Sequence, residues 1–189
     1  MATAELIKPL TTADLLAFPD DGIDRWLIRG ELREEPMTKR NRWHSIVLVV
    51  LSSLLHEWRT RSGAGGYIMG GEAGCILTHD PDTAVGIDVA YFSQEVIDRQ
   101  GDDTTLVDGA PILAVEIHSP SDTQQNIREK TEVYLDSGVK LVWNVDPHSK
   151  TITVVGQDRL PVLYNITQTI TGEPWLPGLT IAVKDVFPY

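Results

Sequence analysis

The stretch ILAVEIH at residues 112–118 places the tightest limit on what this chain can fold into. It reads as a buried central strand, yet its fifth residue is Glu116. An unpaired, ionised carboxylate in a low-dielectric core costs on the order of several kcal/mol even after relaxation. Glu116 therefore needs either a strong local partner or a site where charge is used. Side chains two apart share a face of a strand, so Ile112, Ala114, Glu116 and His118 point one way and Leu113, Val115 and Ile117 the other. The same alternation in VGIDVAYF, residues 85–92, groups Gly86, Asp88, Ala90 and Phe92. Each strand contributes one carboxylate from a face of otherwise apolar or small residues. If the strands are neighbours, Asp88 and Glu116 converge.

The surrounding pattern gives these strands a frame. Thr11 or Thr12 caps a short helix through Ala17, and RWLIRGELREEP, residues 25–36, reads as a hairpin turning at Arg29-Gly30. His44, Val47, Leu48, Leu51, Leu54, Leu55 and Trp58 form one helical stripe that ends near Ser62-Gly63. Strands are expected at 67–69, 74–78 and 86–92, followed by an acidic loop around GDDTTLVDG. After residues 112–118, Ser119-Pro120-Ser121-Asp122 is expected to open a second helix ending at Gly138. Strands KLVWNVD, KTITVVG, PVLYNI and LTIAV complete the chain. The expected fold is α/β or α+β, one central mixed sheet flanked by helices. With 189 residues and 42% hydrophobic composition, one domain over residues 1–189 is the expectation.

Composition narrows the function classes. The single cysteine, Cys75, excludes an intrachain disulfide framework and a cysteine-rich zinc site, and points to a reducing, cytoplasmic location. The first residues lack a basic leader followed by an apolar stretch, and no segment has the length of a membrane span. A formal charge of -11 argues against nonspecific coating of nucleic acid, an affinity that rests largely on Lys and Arg. The charge is uneven, however. Residues 24–61 hold eight bases against five acids. Lys39, Arg40 and Arg42 lie just before or at the start of the long helix, where free N–H groups and the dipole attract anions. They are candidate DNA contacts, or a solvated cap.

The second helix supplies a third unusual charge. Ile127, Thr131 and Tyr134 form its packing stripe, and Lys130 lies among them. Two convergent carboxylates can hold magnesium or manganese while leaving positions for water and a phosphate oxygen. A nearby ammonium can orient or help deprotonate the attacking water, or offset charge on the phosphate. The alternative is a buried Glu116–Lys130 salt bridge with Asp88 capping a turn.

An aspartate on one strand, a glutamate in an apolar VEI context on the next and a lysine nearby resemble the PD-(D/E)xK nuclease superfamily. More narrowly, the chain resembles the Uma-two family of restriction-endonuclease-like proteins. The matching stretches are RGEL at 29–32, His44, IDVAYFS at 87–93, GAPILAVEIHSPSD at 109–122, EKTEVYLDSGVKLVWNVDP at 129–147 and LPGLTIAVKDVF at 176–187. The resemblance implies a restriction-endonuclease-like fold, with Asp88 and Glu116 as metal ligands and Lys130 as the catalytic lysine, displaced onto the helix. It also implies that Glu31 completes the metal site and His44 lines it. Two departures stand out. Ile87 occupies the place of the motif's proline, which carries no chemistry, and His118 occupies the place of its lysine, as a weak base, a metal-side contact or a structural residue.

The expected function is thus a magnesium- or manganese-dependent endonuclease that hydrolyses DNA. The alternative is a binding or scaffold protein that keeps the nuclease fold without catalysis. A homodimer is expected, because one small acidic chain has few basic groups for duplex DNA and because PVLYNI and LTIAVKDVF are apolar segments placed near a sheet edge.

Overall fold

The computed structural model describes residues 8–36, 41–120 and 122–189. Its elements are α1 (Thr12–Leu16), β1 (Ile23–Ile28), β2 (Glu31–Pro36), α2 (Arg42–Ser62), β3 (Tyr67–Thr78), β4 (Thr83–Phe92), α3 (Gln94–Asp98) and β5 (Val107–Asp108). They continue with β6 (Leu113–Ile117), α4 (Gln124–Asp136), β7 (Leu141–Asp146), β8 (Thr151–Gly156), β9 (Arg159–Asn165), β10 (Thr169–Thr171), β11 (Thr180–Ala182) and α5 (Val183–Val186). The result is an α+β architecture on a nine-stranded mixed sheet. Its path runs β2-β1-β4-β6-β7-β8-β9, with β3 paired to β4 and β5.

Four local features set the frame of the site. The β1–β2 hairpin turns at Arg29 (φ 52°) and Gly30 (φ 76°), the positive-φ pair that matches the twist of a two-residue hairpin. Asn41 caps α2 by accepting the N–H groups of Trp43 and His44, both at 2.9 Å, and so fixes where the first turn places His44. Gly63 ends the helix in the left-handed conformation at φ 69°. Gly70 of β3 lets α2 approach closely, since a Cβ there would lie 3.0 Å from Ser52 Oγ.

Each face of the sheet is covered by a helix. On one face, Val47, Leu51, Leu55 and Trp58 of α2 pack with Val89, Tyr91, Leu113 and Val115, and α5 and β11 add Ile181, Val183 and Val186. On the other, Val133 and Tyr134 of α4 pack with Ala90, Ala114 and Val142. The alanines at this crossing leave room for the Tyr134 ring, which is fully buried. The α4 crossover joins the parallel pair β6 and β7, as parallel strands require.

Several expected boundaries move. Residues 67–69 and 74–78 are one strand, β3, with a register shift between Gly70 and Ala73; the glycines that read as a break accommodate a bulge. The second helix begins at Gln124, not at Ser119. Asp122 Oδ2 accepts the Ser119 N–H at 2.6 Å in a separate turn, and Thr123 is the cap, accepting the Asn126 N–H at 3.2 Å. The acidic loop contains β5, which pairs with β3. Only residues 180–182 of LTIAV are strand, and they pair with β10 outside the main sheet. LTIAVKDVF is thus largely core rather than edge, while β9 is an edge strand of the sheet.

Candidate functional site

Asp88 sits where β4 and β6 part. The two strands pair antiparallel at Tyr91 with Leu113, Ala90 with Ala114 and Val89 with Val115. Continuing that register sets Asp88 opposite Glu116, but the ladder stops there because Asp88 Oδ2 accepts the Ile117 N–H at 2.7 Å. The Asp88 carboxylate therefore replaces a strand partner. Its other oxygen, Oδ1, is buried and 3.1 Å from His44 Nε2 of α2. That contact lacks hydrogen-bond alignment, so among the described residues Asp88 Oδ1 and both His44 ring nitrogens have no hydrogen-bond partner. A buried acceptor left in this state typically costs about 1–3 kcal/mol.

Glu116 is held from α4. Tyr134 donates its hydroxyl to Oε1 at 2.7 Å, and Lys130 Nζ donates to Oε2 at 3.3 Å. Burial pushes the Glu116 pKa up; Lys130 opposes this, and the negative charge of Asp88 adds to it. Glu116 in turn raises the Lys130 pKa against the effect of burial, so Lys130 stays an ammonium at neutral pH. Its Nζ also stands 5.7 Å over the Trp26 ring of β1. Cys75 is buried, with its thiol pKa pushed up to about 12 by burial and by Glu116, so it offers no nucleophile.

A cleft of about 280 Å³ opens over this group, lined by Asp88, Glu116 and Lys130 with Asp24, Glu35, Glu72 and Asp122. Its lining is strongly acidic, with Lys130 as the cation among its lining residues. Among the described residues there is no group of three or more His, Cys, Asp or Glu side chains that could hold a metal ion. The available donor set is the carboxylate pair. It fits a hard cation such as magnesium, which keeps several waters and uses one or two carboxylates. Asp88 Oδ1 fits such an ion as an acceptor with no donor, and Glu116 as a carboxylate whose ionisation the site otherwise opposes.

The structure brings Asp88, Glu116, Lys130 and His44 together. His118 lines an adjoining cavity, its pKa lowered chiefly by burial against opposing effects from Asp122 and Asp146. Glu31 is not among the residues that line the cleft. It lies directly after the hairpin turn, exposed, with its carboxylate 3.2 Å from Arg33 Nη1. Glu35, four residues along β2, lines the cleft instead, because β2 runs back along β1 and sets Glu35 beside Asp24, another residue of the lining. Lys39 and Arg40 lie outside the described residues. Arg42 opens α2 and stacks over Trp43, 4.0 Å from the ring centroid.

Sequence reasoning missed the Tyr134 hydroxyl, Trp26 and Asp122. Tyr134 was legible as a packing residue four positions after Lys130, but its hydrogen bond to Glu116 depends on how α4 crosses β6. Trp26 carried no signal, since nothing local distinguishes it from a core aromatic.

A family model described as "Uma2: Putative restriction endonuclease" matches residues 12–184. Among solved structures, the crystal structure of a "putative nuclease belonging to DUF820" from Anabaena variabilis is similar, with a TM-score of 0.77 and 20% identity over 95% of this chain and 98% of that chain. At that identity the likeness speaks for the fold. No curated protein matches.

Proposed function

The chain belongs to the Uma2 family, and on that premise we propose that it is a divalent-metal-dependent endonuclease of the PD-(D/E)xK type that hydrolyses phosphodiester bonds in DNA. The observation that carries this reading is the Asp88 carboxylate oxygen, buried without a hydrogen-bond partner among the described residues, in one cleft with Glu116 and Lys130. Asp88 and Glu116 would hold magnesium or manganese. Such an ion supplies an activated water and neutralises phosphate charge.

The remaining chemistry belongs to the chain. Tyr134 fixes Glu116 through Oε1, which orients Oε2 toward the cleft side occupied by Lys130. Lys130 acts as a donor: its raised pKa suits it to orient the attacking water or stabilise charge on a phosphate oxygen, and disfavours it as a proton acceptor. His44 packs behind Asp88 and positions it. The chain would work as one domain in the cytoplasm and as a homodimer, in which a second copy supplies further basic side chains near Arg42.

A non-catalytic scaffold is the second reading, favoured by the closed Glu116–Lys130 pair. Calorimetric titration with magnesium and manganese followed by plasmid nicking separates the two. The endonuclease binds metal and nicks, Lys130→Ala keeps metal binding and loses nicking by at least about a hundredfold, and Asp88→Ala loses both. Metal-independent nicking, or nicking by both variants at the parental rate, removes the reading.

A further inference from the structure

A second cavity of about 250 Å³ adjoins the cleft and shares Trp26, Glu116 and Lys130 with it. It lies below the size of pockets that take drug-sized ligands and suits one flat heterocycle. Its lining joins apolar side chains from two elements, Trp26 and Ile28 of β1 and Ile127 of α4, the arrangement that sandwiches an aromatic ring. Two of its lining residues carry a buried ring nitrogen, Trp26 Nε1 and His118 Nε2, that has no hydrogen-bond partner among the described residues. Five carboxylate side chains line it against two cations, Arg33 and Lys130. That balance repels a phosphate and accepts hydrogen bonds from amino groups.

Resting on the DNA-cleaving reading above, we propose that this cavity receives a single extrahelical nucleobase bearing an exocyclic amino group, adenine in the simplest case. The substrate would then be DNA with an unstacked base beside the cut phosphodiester, rather than continuous duplex. Its amino group donates to the carboxylates, and its ring packs between the indole and Ile127. An unpaired base is also the cheapest to bring out of the stack. Such recognition draws affinity from stacking and hydrogen bonds, which suits a chain of net charge -11.

The test is equilibrium binding by fluorescence anisotropy to hairpin DNAs of equal length that carry one extrahelical adenine, one extrahelical thymine, one abasic site or full pairing. Chelator in the buffer separates binding from cleavage. The extrahelical adenine should bind at least about tenfold tighter than the paired hairpin, and the abasic and thymine hairpins should not. Because base contacts release few counterions, the preference should persist as salt rises. Ile127→Trp, which fills the cavity, should remove it. Equal affinity for all four hairpins, a preference that salt abolishes, or one that Ile127→Trp leaves intact each overturns the proposal. Plasmid nicking with equal affinities removes the base pocket and leaves the endonuclease; adenine preference without cleavage of the extrahelical-adenine hairpin in magnesium leaves the pocket and removes the hydrolytic reading.

Discussion

At Glu116, two hydrogen bonds from α4 hold a carboxylate that burial and Asp88 would rather keep protonated. Tyr134→Phe removes the 2.7 Å bond to Oε1 while keeping the packed ring. It should lower stability by about 1–3 kcal/mol, measured by urea denaturation, and weaken magnesium binding, measured by calorimetry. Unchanged values for both would mean that Tyr134 only packs. The pH dependence follows from the raised Glu116 pKa. Its favourable contribution is fully present below the ordinary glutamate value of 4.5 and is lost as pH rises through the raised folded value. Metal-free melts of Glu116→Gln, which cannot ionise, should therefore gain on the parent across that window, and magnesium should narrow the gap. A gap that stays constant with pH would show that ionised Glu116 is already fully compensated by Lys130.

At the scale of elements, α2 links the core to the site. Leu51 is fully buried between the helix and the sheet, so Leu51→Ala should cost about 2–5 kcal/mol. Asn41→Ala acts at the other end, removing the two cap bonds that orient the first turn. It should cost about 1 kcal/mol of stability and, by loosening His44 behind Asp88, reduce metal affinity more than Leu51→Ala does. Comparing the two variants by denaturation and by metal titration tests this; equal losses of metal affinity would show that the cap has no specific connection to the site. The heptad-like stripe of α2 and the alternation of β4 and β6 were readable because their periodicities are local. The helix start at Gln124 was not, because Ser119 and Asp122 satisfy each other in a turn and leave capping to Thr123.

For the molecule as a whole, a cation that binds only the folded chain must stabilise it by mass action. Magnesium at a hundredfold excess over its Kd should add about 2.7 kcal/mol, seen as a rise in the melting midpoint. The same midpoint with and without millimolar magnesium or manganese would count against the carboxylate pair as a site. The proposed dimer has a concrete surface in β9, an edge strand of the nine-stranded sheet, where Leu160 is 84% and Leu163 60% exposed. An apolar edge strand of this kind invites pairing with a second copy. Light scattering should give twice the chain mass, and Leu163→Lys should return it to monomer; a parental mass near 20.9 kDa refutes the dimer. Among the described residues no helix is long and apolar enough to cross a membrane.

The amino-acid sequence by itself determined the mixed α and β composition, the hairpin turn at Arg29-Gly30, the long α2 stripe and the unusual charges at Asp88, Glu116 and Lys130. These are signals of residue type and short-range period, so they are legible in the chain itself. Only the tertiary structure decided that β4 and β6 are neighbours and part at Asp88, that Tyr134 rather than Lys130 alone holds Glu116, and that Glu35 rather than Glu31 faces the cleft. Those facts depend on strand order, on where a ladder stops and on how a helix crosses a sheet, and each is a relation between residues far apart in the chain. Glu116 belongs to both accounts: its place in an apolar run marked it as costly, and the partners that make that cost bearable came from fourteen and more positions away.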